Sequence, residues 1–142
     1  MKHDNVNHPR HYEPLFFMRD PECIDFTELM SFNRGNAFKY VWRSGLKGDT
    51  EKEIEDLEKA EWYLNRGFGQ VDNDMEKNAI IRVMWDFVKK PTDATSPRYL
   101  KYLILDAIVH FRFPSACVKI KDRIDCLKRK KVEKTGKSEN LS

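Results

Sequence analysis

Two stretches of this chain concentrate side chains that can hold an anionic, aromatic-bearing small molecule. The first is Val6-Asn7-His8-Pro9-Arg10-His11-Tyr12, in which two histidines bracket a proline–arginine pair. Imidazoles at this position can bond phosphate or relay a proton, and Asn7 and Tyr12 add neutral hydrogen-bonding groups. The second runs from Gly35 to Gly48. Within it Asn36, Lys39, Tyr40 and Arg43 stand at i, i+3, i+4 and i+7, one stripe of a helix, and Lys47 follows in a glycine-flanked turn. Arginine offers phosphate a planar fork and lysine a mobile point charge. A further polar stripe, Asp56, Lys59 and Tyr63, has the spacing to face the first across a cleft. The blander reading of either stripe is the solvated side of an amphipathic helix.

Acidic rows support a different chemistry. Glu22, Asp25 and Glu28 recur every third residue, and Glu51, Glu55, Asp56 and Glu58 crowd a later segment. Carboxylates on two facing helices can hold a magnesium ion, with Glu22, Asp25, Glu55 and Glu58 as the ligands, although Glu55–Lys59 also reads as an ordinary surface pair. The two histidines are too few for a closed zinc site, and no cysteine stands near them. Gly136-Lys137-Ser138 is no phosphate-binding loop, because Lys131 occupies the place of the first glycine and no strand precedes it.

The elements that must position these groups read as helices. Residues 1–21 hold Pro9, Pro14 and Pro21 without helical period and form an extended arm, with Leu15-Phe16-Phe17-Met18 placed to pin it to the core. Residues 22–66 make the ligand-binding core: a helix over 22–30, a second over 33–43 ended by Gly45 and Gly48, and a third capped by Thr50 with Glu53 completing a capping box. Residues 67–131 make a second helical half. A helix runs over 75–89, and another from the Ser96-Pro97 start to about Phe113, so broadly apolar that it must be central or face another subunit. Pro114 separates it from a last helix over 115–131, and residues 132–142 are expected to be a disordered basic tail. No segment alternates with period two, so the fold expected is all-α, with five to six helices and an N-terminal arm.

The 142 residues suit one domain, and a net charge of +3 does not point to nucleic acid as a partner. The charge is uneven: from Lys119 to Lys137 nine Lys/Arg stand against three acids. Three cysteines without paired spacing read as free thiols, and no apolar run is long enough for a membrane span or signal peptide. The expectation is a cytoplasmic protein, assembled as a homo-oligomer through its broadest apolar helix.

Four ordered motifs carry a resemblance: Val6-Asn7-His8-Pro9-x-His11-Tyr12, Glu22-Cys23-Ile24-Asp25, Gly35 to Gly48, and Glu55-Asp56-Leu57-x-Lys59-Ala60-x-Trp62-Tyr63-Leu64. Over roughly residues 6–66 the chain resembles the phage nucleotide kinase-like family. That resemblance implies a phage protein acting in the host cytoplasm. It would transfer a phosphoryl group from a nucleoside triphosphate to a deoxynucleoside monophosphate of the dTMP or dGMP class, on a fold without a P-loop. In that reading His8, His11, Lys39 and Arg43 are catalytic. Asn7, Tyr12, Asn36, Tyr40, Lys47, Asp56 and Lys59 bind substrate, and magnesium is admitted but not demanded. Two alternatives stand beside it. One is an all-α nucleoside triphosphate pyrophosphohydrolase using the acidic rows, and the other a non-catalytic phage protein that binds a nucleotide or inhibits a host protein.

Overall fold

The computed structural model describes residues 19–70 and 72–141, with side chains as far as Lys134. Among the described residues every regular element is helical: α1 (Cys23–Thr27), α2 (Phe32–Arg43), α3 (Thr50–Gly67), α4 (Met75–Trp85), α5 (Pro97–Val109) and α6 (Phe113–Leu141). The all-α expectation holds. The arm and its Leu15–Met18 anchor lie outside the described residues.

Helices α2 and α3 form the tightest pair; α3 then packs on α6, α6 on α5, and α5 back on α2, so four helices close a ring around the core. α1 lies on α2, and α4 against α5. Phe38, Val41, Leu57, Leu64, Ile104, Ile108 and Ile120 point inward and are fully buried. One end of the core is aromatic. Phe26 meets Phe38 at 5.2 Å and Trp85 at 5.9 Å between ring centroids, and Trp85 stacks on Tyr102 at 4.8 Å. The Trp85 indole N–H donates to Asp106 at 2.9 Å, which lets a large amphipathic ring be buried without an orphan donor. The apolar breadth of α5 is thereby used inside its own chain: Ile104, Leu105, Ala107, Ile108 and Val109 are all buried.

Local chemistry sets the helix ends. Asp49, not Thr50, caps α3, its carboxylate accepting from the Lys52 amide at 3.0 Å. Glu53, expected to complete a capping box with Thr50, instead reaches Arg123 on α6 at 2.9 Å. Asp74 caps α4 and Ser96 caps α5, with Pro97 following where its missing N–H is harmless. α4 stops at Trp85, and the next residues tighten into i→i−3 bonds, Phe87 to Met84 and Val88 to Trp85.

α5 ends four residues before the expected Phe113. The Phe111 amide bonds Ile108 and the Arg112 amide bonds Ala107 at 2.7 Å, the paired closure that ordinarily places glycine in the left-handed position. Here Phe111 takes that position, at φ 59. Its ring is held by Arg34 of α2, whose guanidinium carbon lies 3.9 Å from the ring centroid. Arg34 is itself 2% exposed and fully engaged. It donates to the Ile108 and Val109 carbonyls (3.3 and 2.8 Å), to Asp72 (3.0 Å) and to Asn78 (2.8 Å). A buried cation at the negative end of α5 is thus paired by a carboxylate and two carbonyls. At the other end of the chain the backbone stays helical to Leu141, past the Lys131 limit and through the segment expected to be disordered. Its lysines and glutamates are good helix formers, and one glycine costs only about 1 kcal/mol.

Candidate functional site

The two stripes singled out in the sequence meet across the α2–α3 pair, and Tyr40 is their centre. Its ring has the Lys39 ammonium 4.6 Å from the centroid, with the Arg43 guanidinium and the Lys59 ammonium each at 5.4 Å. Tyr63 stacks on it, 5.9 Å away with planes 10° apart. The rings give the cations a polarisable floor, and the ammonium and guanidinium groups held on it are what would draw an anion.

Asp56 lies at the base of this arrangement, only 1% exposed. Arg43 Nε stands 3.6 Å from its Oδ1 and Lys52 Nζ 3.4 Å, both charge contacts rather than well-formed hydrogen bonds. Oδ1 has no hydrogen-bond donor among the described residues. This buried carboxylate oxygen is held by charge contacts alone, and a donor brought by a ligand would reach it only where Arg43 or Lys52 gives way. Glu55 is occupied, accepting from Lys52 at 3.2 Å and Lys59 at 3.0 Å, and these bonds hold its carboxyl below the usual range. Four cations, Lys39, Arg43, Lys52 and Lys59, therefore face two carboxylates, an excess of two positive charges.

Other expected site residues fall elsewhere. Asn36 donates to its own helix, to the Phe32 carbonyl at 2.9 Å. With Lys39 it lines a groove of about 290 Å³ against Thr27, Met30 and Phe32. Gly35 in this groove lets α1 approach, since a Cβ there would sit 3.3 Å from the Thr27 carbonyl. Lys47 is exposed in the α2–α3 loop, and no contact among the described residues ties it to the cluster. His8, His11, Asn7 and Tyr12 lie outside the described residues.

The acidic rows are used differently from a metal site. Asp25 is bound by Arg19 through two bonds of 2.8 and 3.1 Å and closes the first turn of α1 with Glu22. Glu58 pairs with Lys128. Among the described residues no three His, Cys, Asp or Glu side chains gather as a metal ligand set, so Glu22, Asp25, Glu55 and Glu58 do not form the one envisaged for magnesium.

Sequence reasoning missed two cations. Lys52 stands one turn before Asp56, a spacing that was there to be read. Lys101 could not be found that way, for it comes from α5. Its ammonium donates to the Trp42 carbonyl at 2.7 Å and lines a cavity of about 390 Å³ with Glu53, Leu57, Arg98 and Arg123. Burial pulls its pKa down to about 8. This larger cavity lies beside the Tyr40 cluster rather than over it, and we place the candidate site where the uncompensated charge and the orphan oxygen are.

Over residues 6–65 the chain matches the model of a family described as a protein of unknown function, DUF3310. This corrects the resemblance drawn from the motifs: the matching family is one without an assigned function, and no nucleotide kinase family matches. No curated protein and no solved structure matches the chain. The matched segment contains all of α1 and α2 and α3 to within two residues of its end, together with every described member of the Tyr40–Asp56 cluster.

Proposed function

We propose that the α2–α3 face binds a deoxynucleotide and serves phosphoryl transfer from a nucleoside triphosphate to a deoxynucleoside monophosphate. The observation that carries the reading is the orphan Oδ1 of Asp56 at the foot of a tyrosine pair ringed by excess cations. The three features ask for three things in one ligand: a donor for the carboxylate, an anion for the cations and a flat ring for the aromatics. A nucleotide has all three, as sugar hydroxyl or base N–H, phosphate, and base.

In the transfer, the γ-phosphorus bond to the β–γ bridging oxygen breaks as a phosphate oxygen of the monophosphate attacks, giving two diphosphates. Catalysis of this kind is mostly positioning and charge stabilisation. Arg43 would fork onto a transferring phosphate, Lys39 and Lys59 would offset its charge, and Asp56 would orient the acceptor.

Incubation with a deoxynucleoside triphosphate, dTMP or dGMP and magnesium, followed by chromatography, tests it. Diphosphates are expected. Monophosphate with pyrophosphate would establish the hydrolase instead, and a ligand-induced rise in Tm without product a binding protein. Arg43→Ala should weaken nucleotide binding about ten- to a hundredfold while leaving helical circular dichroism intact. An unchanged affinity would remove the site.

A further inference from the structure

The charge on α3 is partly sorted by face. Glu51, Glu53 and Glu58 are each paired with a cation of α6, namely Lys131, Arg123 and Lys128. Another side of the helix carries Lys52, Lys59 and Arg66, seven residues apart, with Asp56 and Tyr63 between them and Glu55 accepting from both lysines. Fourteen residues of helix make this row about 21 Å long. α2 adds Lys39 and Arg43 alongside it.

Aromatic rings interleave with the row and continue beyond the Tyr40 cluster. Tyr63 meets Trp62 edge-on at 5.0 Å and Phe32 edge-on at 6.0 Å. Trp62 and Phe32 are 56% and 73% exposed, and the Arg66 guanidinium lies 5.5 Å from the Trp62 ring centroid. Large exposed rings set beside cations are costly for a face that meets only water.

We propose that this face binds single-stranded nucleic acid, with its backbone phosphates along the Lys52–Lys59–Arg66 row and unpaired bases on Trp62 and the tyrosine pair. A duplex strand has a phosphate every ~3.4 Å of axis and an extended single strand spaces them wider, so a row of about 21 Å spans several phosphates where a mononucleotide reaches only part of it. Base-on-aromatic stacking tolerates any sequence, and cations tracking the backbone supply the rest. The net charge of +3 conceals the row: Glu51, Glu53 and Glu58 are turned toward α6, while Glu55 and Asp56 remain on the row and offset it in part. The proposal shares Tyr40, Arg43 and Lys59 with the mononucleotide reading but stands on Trp62, Arg66 and Lys52.

The test is fluorescence anisotropy of the full chain with labelled oligothymidylates of about 4 to about 12 nucleotides, with oligouridylate, duplex and polyglutamate as parallel arms. Affinity should rise with oligomer length and exceed that for dTMP. It should fall with salt at a log–log slope near −2, about 0.7 for each of three phosphates neutralised. Trp62→Ala should weaken oligonucleotide binding about tenfold or more, and Arg66→Ala should reduce the slope by about 0.7. Both residues are exposed, so circular dichroism and Tm should not change. The thymidylate and uridylate arms tell DNA from RNA, and binding of either supports the proposal. Equal affinity for dTMP and the longest oligomer, equal affinity for duplex or polyglutamate, or an unaffected Trp62→Ala would each overturn it. If the mononucleotide reading alone is wrong, dTMP binding and diphosphate formation fail while the length dependence and its loss in Trp62→Ala remain.

Discussion

Arg34 is the side chain whose removal should cost the most. It joins α2 to the C-terminal carbonyls of α5, to Asp72 and to Asn78, all from within the core. Arg34→Ala takes the guanidinium partner from the Asp72 carboxylate, from Asn78 and from the Val109 carbonyl, and leaves the Ile108 carbonyl with the Phe111 amide alone. Chemical denaturation should show a loss of about 3–5 kcal/mol. Arg34→Lys should recover little of it, since a point charge cannot reproduce a four-way fork. Lys101 gives a pH signature of its own. Its pKa is about 8 in the folded protein, lowered chiefly by burial, against 10.5 as the ordinary value. Below pH 8 both states hold the proton and the burial cost is felt in full. Between about 8 and 10.5 the unfolded chain binds more protons than the folded one, so stability should climb with pH. Cys23, raised by burial to about 11 from 9.0, opposes this at the upper end by keeping its proton in the folded state, so the Lys101 climb is read as the difference in denaturation midpoint between the native protein and Lys101→Met across that window.

Among the elements, α3 matters most to the site, and its start decides where Lys52 and Asp56 point. The cap is Asp49, not the Thr50–Glu53 box that sequence spacing favours. Asp49→Ala should therefore lower stability by about 1 kcal/mol, whereas Thr50→Ala should stay within about 0.5 kcal/mol. Equal losses in thermal unfolding would restore the capping box. Asp and Thr stand side by side, and either can cap; what separates them is that Glu53 is drawn away to Arg123. The same contrast runs through α5. Its start at Ser96-Pro97 is legible from two adjacent residues. Its end is not, since no glycine marks the left-handed position that Phe111 occupies.

Taken whole, the molecule separates charge by helix pairing. Glu51, Glu53 and Glu58 of α3 face the basic α6, while Lys52, Lys59 and Arg66 are left outward with Glu55 between the two lysines, so one helix both seals the bundle and presents a mainly cationic face. The α3–α6 seam is uneven in strength. Glu53 and Arg123 are 17% and 16% exposed, while Glu58 and Lys128 are more than half exposed. A double-mutant cycle on Glu53 and Arg123 should give a coupling of about 1–3 kcal/mol, and one on Glu58 and Lys128 a coupling near zero. If the two cycles agreed, the sorting of charge would be a surface accident rather than part of how the helices register.

What the amino-acid sequence determined by itself was everything decided within a turn or two of chain. The helical period, the proline and serine at the head of α5, the glycines Gly45 and Gly48 at φ 78 and 89 after α2, and the two polar stripes of α2 and α3 were all legible. These depend on spacing along one segment, and side chains three or four residues apart meet whatever the rest of the chain does. Only the tertiary structure decided that Asp56 is buried with an oxygen lacking a donor, that Arg34 belongs to the core and that Lys101 arrives beside Trp42. It also decided that Arg123, Lys128 and Lys131 of the basic end meet the acids of α3. Burial and long-range pairing depend on which helices are neighbours, and a carboxylate or guanidinium carries no local mark of the partner that chain folding will bring to it.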